Sequence, residues 1–550
     1  MAVDYYGSEP LTKDKFRHDL MDSPPEIISV DCETVSLTNR RVLGFGIATS
    51  PEEAWYFKAG EPEIELVRPL LNNPKITKVF HNAIFDLRCM PGILDVETTN
   101  IADTNIMARL QGFRETKLFT FEDFTDKHTT PVEQILAAHG TKVMTDLPPM
   151  EVSRHCAQDV MATLALYHYL SKGVKDWGYL DFEMKALPII LKMSLRGLKV
   201  DAVELADQIA VYQAEKEGYL KACNSIEPFN PGSTVQVGYI LSKRGNMLPI
   251  RRRKDKKTGK YVSKYVTDIV ALEKINDPLA TWVLNYRHTG KMLSTYLLPL
   301  LGEDRAYTEY NFDAVVGRIS SARINMQNIP FKMRCIFLPD SGLFTTGDYS
   351  QEHLRILCYL SGDREMAKVY YDGEYEGDIH SKTARELNVS RDTAKTINYA
   401  IPYGATANTI NEQGKLNNIK KASMFLDRWF ETYRDAAAWL RAAQDYGVRH
   451  MWSLDTLFGR SIAMPEEYNR QGELNIESVK RKAVNYPILG TDGEVMKRAV
   501  IICNDRDLPL AVTVHDSITC DGDIEFPIDS LENITPFRIP FIVKKTFRWE

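Results

Sequence analysis

The sequence predicts a multi-domain α/β protein, and three observations carry that expectation. The chain has 550 residues, too many for one hydrophobic core and suited to three or four compact units. Up to about residue 175, β-rich runs are followed by helical patterns. Further on, strand signals at 305–349 and 511–519 bracket a mainly helical stretch at 350–450. That interleaving reads as one catalytic unit with a helical insertion.

The N-terminal part opens as a meander. Glu26–Thr34, Val42–Thr49 and Glu53–Phe57 are β-rich runs separated by polar or Gly-containing turns, and Thr77–His81 is a further short strand. Asp103–Leu110 and Asp159–Leu170 carry apolar residues at helical spacing. A mixed sheet flanked by helices is the expected result. From Phe182 the pattern is mainly helical to Leu301. Phe182–Arg196 stops at Gly197, and Lys254–Lys260 interrupts as a loop.

Hydrophobic residues at 44% and charged residues at 26% place the chain among ordinary soluble proteins. No stretch has the apolar length of a membrane span. The start, Met1-Ala2-Val3-Asp4-Tyr5-Tyr6, lacks the basic flank and apolar core of a secretion signal. Eight scattered cysteines without a C-x-x-C pair read as reduced thiols. A cytoplasmic location is expected, in the host cytoplasm for a viral protein. The net charge of −6 argues mildly against simple coating of nucleic acid. It suits a protein that concentrates acids around metal ions and lines one groove with basic residues. The densest basic run, from Arg251 to Lys257 with Lys260 and Lys264, reads equally as a solvated loop or as a contact with a DNA backbone.

Two clusters carry chemistry. In the first, Asp31-Cys32-Glu33 ends the run Ile27-Ile28-Ser29-Val30, so the two acids face one side of a strand. Asn82-x2-Phe85-Asp86 follows a strand and should open a helix with Asn82 as its cap. His155-x3-Asp159 lies at the expected start of another helix, where the dipole favours an acid. Taken singly these are a solvated strand end, a cap and a first-turn acid. Together they supply Asp31, Glu33, Asp86 and Asp159, in an order that resembles the 3′–5′ exonucleases of the DEDD superfamily. The resemblance implies an RNase H-like exonuclease domain over 1–178, whose four acids bind two Mg²⁺ ions, with Mn²⁺ as a substitute. Related polymerases usually have tyrosine four residues before the last aspartate. Here His155 stands there, and it is expected to orient or deprotonate the attacking water.

In the second cluster, Asp348-Tyr349-Ser350-Gln351 ends one β-like run and His515-Asp516 lies within another. Carboxylates delivered from two neighbouring strands hold two hard divalent cations side by side, with the Tyr349 carbonyl as a further ligand. Between them, Arg391, Lys395, Tyr399 and Tyr403 lie four apart and form a stripe on one helix face. Pro402 should kink or end that helix. The cations would hold a triphosphate with His380 as a further donor, and Tyr399 would lie against the base and sugar. Without the carboxylates, the stripe would be a half-exposed amphipathic helix.

From Glu183 onward the chain resembles family A DNA polymerases. The blocks that carry this are Arg196-Gly197-Leu198-Lys199-Val200-Asp201, Phe229-Asn230-Pro231-Gly232-Ser233 and Arg287-x3-Lys291. They continue with Gly317-Arg318-Ile319-Ser320-Ser321, Gln327-Asn328-Ile329-Pro330, Asp378-Ile379-His380, Tyr403-Gly404, Gly490-Thr491 and His515-Asp516. The resemblance implies a right-hand polymerase over 179–550, with the thumb at about 202–297, the palm at about 298–365 and 455–550, and the fingers at about 366–454. Primer-template DNA and dNTPs are the implied substrates, and two Mg²⁺ ions the implied cofactor. Gln351 and His353 would join the dNTP site. Arg318, Gln327, Tyr403, Arg481, Asn485 and His515 would face DNA, where a minor groove reports pair shape without sequence. Gln327 also reads as a loop cap.

The chain departs from the family in several places. The motif usually read Asp-Tyr-Ser-Gln-Ile-Glu-Leu-Arg has Glu352-His353 at its fifth and sixth places. His353 therefore replaces the glutamate that screens the sugar 2′ position, and exclusion of ribonucleotides is expected to survive. Tyr399 stands where many relatives have phenylalanine, which implies poor discrimination against dideoxynucleotides. Leu489 replaces a usual glutamine and Ser517 a usual glutamate.

No 5′ nuclease pattern precedes residue 20, and 202–297 carries no large insertion. A monomeric bacteriophage replicative enzyme working with primase, helicase and single-strand-binding protein fits, with a bacterial or plasmid repair polymerase as the alternative. Competing classes are a nuclease with a degenerate polymerase region, a non-catalytic DNA-binding scaffold and an RNA-synthesising enzyme. Asp348, Asp516, Arg391 and Lys395 together weigh against the first. Two acid clusters, which would repel phosphate without metals, weigh against the second. His353 keeps the third open.

Overall fold

The computed structural model describes residues 3–7, 15, 18–94, 100–254, 259, 261–414, 416, 418–468 and 472–550. The N-terminal sheet has six strands in the order Val3–Tyr6, Glu53–Lys58, Val42–Ser50, Ile27–Thr34, Thr77–Phe80, Asn100–Asp103. The meander strands pair antiparallel, and the last two run parallel to Ile27–Thr34. Phe45, Trp55, Phe57, Val79 and Phe80 fill its core, each fully buried aromatic or aliphatic contributing about 1.5–3 kcal/mol. Gly46 lies opposite Asp31 on the neighbouring strand. A Cβ at Gly46 would sit 3.0 Å from Cys156 Sγ and 3.1 Å from Val160, so the glycine lets the helix Pro149–Ser171 lie close to the sheet beside Asp31.

Two local expectations need correction. The helix carrying His155 and Asp159 begins at Pro149, so both residues lie in its interior and the first-turn dipole explanation does not hold. Proline suits the first helical position because its missing N–H needs no partner there. Asn82 does precede the helix Ala83–Cys89, but with φ 80° and no side-chain cap. Asp103 caps instead. Its carboxylate accepts from the N–H groups of Asn82 and Ala83 at 3.2 and 2.8 Å, and from those of Asn105 and Ile106 at 2.8 and 3.3 Å.

The C-terminal part begins with the helix Trp177–Arg196, which stops at Gly197 in the left-handed region, φ 61°. Helices Ala202–Asn224 and Pro278–Lys291 then pack together. The basic run is not wholly loop. Ile250–Lys254 and Tyr261–Tyr265 form an antiparallel hairpin, with Arg252 5.2 Å from the Tyr261 ring centre; residues 255–258 and 260 lie outside the described residues.

The central sheet has the order Leu510–Val514, Ser517–Asp521, Phe344–Tyr349, Phe541–Thr546, all antiparallel. Its strands come from both sides of the helical stretch, as the interleaved pattern requires. The run 511–519 is not one strand. It turns at His515, φ 54°, so Asp516 sits at a hairpin corner beside Asp348. Gly347 is required by packing, because a Cβ there would lie 1.9 Å from the Phe541 ring.

The two parts share an interface. Glu309 gathers Arg40, Arg88 at 3.6 Å and Arg323 at 3.3 Å. Arg88 and Arg109 donate to the carbonyls of Tyr310 and Phe312 at 3.1 and 3.0 Å. Within the C-terminal part, the buried pair Glu183–Lys497 ties Trp177–Arg196 to the long helix Ile476–Asn504.

Candidate active sites

The fold brings the four N-terminal acids together. Asp31 and Glu33 project from the strand Ile27–Thr34, Asp86 from Ala83–Cys89 and Asp159 from Pro149–Ser171. Asp86 accepts the Cys32 N–H at 2.9 Å. Ligand atoms of Asp31, Glu33 and Cys156 lie within 4.8 Å of one another. Burial, then the charges of its neighbouring acids, pushes the Asp31 carboxyl well above the carboxylate range. Burial and like charge push Asp159 up to about 7, and burial foremost pushes Asp86 up to about 7. One Asp159 oxygen is buried without a hydrogen-bond partner. Crowded acids with an orphaned oxygen fit a bound divalent cation.

His155 is held at both ends. Nδ1 lies 2.8 Å from Glu33 Oε1 and 3.6 Å from Asp159 Oδ2, and Nε2 lies 3.1 Å from the Thr130 carbonyl. Two acceptors suit an imidazolium, which donates from both nitrogens. Burial opposes that charge, but the Glu33 hydrogen bond and the two carboxylates outweigh it and push the pKa up to about 9. Both ring nitrogens of His155 thus face oxygen acceptors, Glu33 on one side and the Thr130 carbonyl on the other.

The second site is a cleft on the central sheet. Asp348, Tyr349, Gln351, His380, Arg391, Lys395, Tyr399 and Asp516 line it, together with Arg334 and Lys544, which sequence reasoning missed. Burial and then the Asp516 charge push Asp348 up to about 6, against the pull of Lys544, Lys395 and Arg334. Burial and Asp492 raise Asp516 likewise. Two mutually repelling carboxylates at the head of a cationic cleft again fit divalent cations. Tyr349 is anchored by its hydroxyl, which donates to the Leu531 carbonyl at 3.0 Å.

The helix Arg391–Ala400 carries Arg391, Lys395 and Tyr399 but ends before Pro402. Tyr403 therefore leaves the stripe, and its hydroxyl meets His353 Nδ1 at 2.5 Å. Arg391 Nε donates to Asp378 Oδ2 at 2.7 Å. Gln351, at φ 54°, donates to the Gly377 carbonyl at 3.4 Å and accepts from the Tyr370 hydroxyl at 3.1 Å. Burial foremost pushes His380 down to about 4, so its imidazole is neutral. The Trp429 indole donates to Asn398 Oδ1 at 2.9 Å, which turns the Asn398 amide nitrogen toward His380 Nδ1 at 3.1 Å. His380 thus keeps its proton on Nε2 and remains a donor.

Arg318, Gln327 and His515 line one small polar cavity with Asp492. The Gln327 amide donates to the Ile319 carbonyl at 3.0 Å, which supports its loop-bracing role. Arg481 is exposed and packs on Gly404, where a Cβ would lie 2.8 Å from Arg481 Cγ. Asn485, one turn further along, has a buried Oδ1 without a partner.

Residues 200–534, more than half of the chain, match the family described as DNA polymerase family A. The chain belongs to that family. Residues 13–175 of this family A polymerase match the 3′–5′ exonuclease family. DNA polymerase I of Thermus filiformis is 30% identical over 72% of the chain and 51% of its own length. Those of Chloroflexus aurantiacus and Pseudomonas aeruginosa are 26% and 27% identical over 93% of the chain, and 58% and 61% of their own lengths. The chain therefore spans little more than half of these relatives. The Pol1 polymerase domain from M. smegmatis, solved with DNA primer-template and dNTP, shares the fold with a TM-score of 0.74, 22% identity and 94% coverage of each chain. Among the described residues, no helix is long and apolar enough to cross a membrane.

Proposed function

We propose that this family A chain extends a primer 3′-OH with dNTPs on a DNA template and removes 3′ nucleotides at a separate site. The cleft that gathers Asp348, Asp516, Arg391, Lys395 and Tyr399 carries the reading. When bound, two Mg²⁺ ions per site would lower the pKa of the attacking oxygen and offset charge at the phosphate. Asp348 and Asp516 would hold them at the polymerising site, and Asp31, Glu33, Asp86 and Asp159 at the other. Arg391 and Lys395 would bind the triphosphate, the neutral His380 would donate from Nε2, and Tyr399 would pack on the incoming base and sugar. His155 would orient Glu33. Arg318, Arg481, Asn485 and His515 would face the duplex.

The domain division follows this reading: 1–178 for excision, 179–550 for synthesis, with thumb at about 202–297, palm at about 298–365 and 455–550, and fingers at about 366–454. The four-stranded sheet that joins 344–349 to 510–546 supports the palm assignment. Bacteriophage genome replication is the setting included in the proposal, supported by a 3′–5′ exonuclease region and a polymerase region in one chain. The test is a labelled primer-template with Mg²⁺, with and without dNTPs. Extension with dNTPs and shortening without them are expected. Shortening alone under both conditions would leave a nuclease.

A further inference from the structure

Asp492 has no part in the roles above, yet it occupies a costly position. It is fully buried in the middle of the helix Ile476–Asn504. Its Oδ2 lies 2.6 Å from Arg318 Nε, and its Oδ1 lies 3.3 Å from His353 Nε2. Neither contact has hydrogen-bond alignment, and His353 Nε2 has no aligned partner of its own. The other ring nitrogen of His353 meets the Tyr403 hydroxyl at 2.5 Å, with the two rings nearly perpendicular at 80°. The imidazole is therefore held from Tyr403 on one side and faces Asp492 on the other.

The approach is enforced by Gly493. A Cβ there would lie 3.0 Å from the Gly317 carbonyl oxygen and 3.1 Å from the Arg318 nitrogen, so a side chain would push that backbone back by a few tenths of an ångström, and glycine lets this helix press Asp492 against the Arg318 segment. A second buried acid, Glu352, precedes His353 in sequence and has neither carboxylate oxygen hydrogen-bonded. A buried carboxylate is expensive unless a charge compensates it. Arg318 is the cation in contact with Asp492, and His353 turns a ring nitrogen toward its other oxygen.

We infer that Asp492 is a specificity-determining positioning residue, which fixes the plane of His353 at the sugar and aims Arg318 at the primer-template pair. The inference rests on the polymerase reading. It joins sugar selection to pair checking through one carboxylate. It predicts that loss of the Asp492 charge loosens His353 and admits ribonucleotides, while the metal-holding acids stay in place.

The test compares kcat/KM for a dNTP and the matching rNTP, using the full chain and Asp492→Asn, His353→Ala and the double variant. Excision without dNTPs serves as the internal measure of folding. Asp492→Asn should shift the rNTP-to-dNTP ratio toward ribonucleotides by about tenfold, equivalent to about 1.4 kcal/mol, with excision unchanged. In the His353→Ala background the same change should leave the ratio alone, because the effect passes through His353. A ratio that moves less than twofold, or that moves equally in both backgrounds, overturns the inference. If Asp492→Asn fails to fold, His353→Gln and His353→Leu decide. The glutamine keeps a donor toward Asp492 and should retain more selection than leucine; equal ratios overturn the inference. A native chain that never extends with dNTPs removes the polymerase reading itself, whereas normal extension with an unmoved ratio removes only this inference.

Discussion

The backbone N–H of Tyr349 donates to the carbonyl of Asp516 at 3.0 Å. This bond ties the residue after one cleft aspartate to the other aspartate, and it fixes the hairpin corner at His515 against the strand that carries Asp348. Two carboxylates that repel each other are thus held by backbone, whatever occupies the cleft.

Close packing behind that strand leads to the first prediction. A Cβ at Gly347 would meet the Phe541 ring. Gly347→Ala should cost about 1–3 kcal/mol, as overpacking in a filled core does. Urea denaturation measures it, and a midpoint equal to that of the native chain would contradict the packing account.

Crowding of the N-terminal acids leads to the second. In EDTA, Asp31→Asn should melt higher than the native chain, because burial and the neighbouring acids penalise the carboxyl there and an amide escapes that penalty. Mn²⁺ should stabilise the native chain, by about 2.7 kcal/mol at 100 times the dissociation constant, and the variant less. Equal Mn²⁺ shifts in thermal melts would place the ion elsewhere.

His380 gives a pH dependence. Its folded pKa is pushed down to about 4 by burial foremost, against 6.5 for free imidazole. Between those values the unfolded chain binds a proton that the folded chain does not, so stability falls as pH drops from about 6.5 to about 4. His380→Gln should flatten part of that fall in a series of melts across this window. An identical slope in both proteins would contradict the buried neutral imidazole.

Tyr399 lies in the cleft beside Asp348 and Asp516. In a competition between dNTP and ddNTP, Tyr399→Phe should discriminate against the dideoxy substrate more strongly than the native chain. Equal discrimination would mean that the hydroxyl does not stand in for the missing 3′-OH.

Much of this was legible in the sequence because short-range rules agree with the fold. Asp31 and Glu33 alternate on a strand, and Arg391, Lys395 and Tyr399 repeat along a helix. The misses have physical causes. Pro149 looks like a breaker but opens a helix. Phe541–Thr546 is an edge strand whose Ile542, Val543, Lys544 and Lys545 are exposed, so it lacks the alternation of a half-buried strand. Arg251 and Arg252 sit in a hairpin that their own β-propensity does not announce. Asp492 sits in a helix whose buried positions run all round it through 490–497, so no local pattern distinguishes it. Its partners Arg318 and His353 are distant in sequence.

The most direct measurement is primer extension and excision by Asp516→Ala and Asp31→Ala beside the native chain. Asp516→Ala should lose extension by on the order of 10²-fold or more and still shorten the primer. Asp31→Ala should extend normally and lose shortening by a similar factor. Loss of both activities in either variant, or of neither, would contradict two separate metal-dependent sites in one chain.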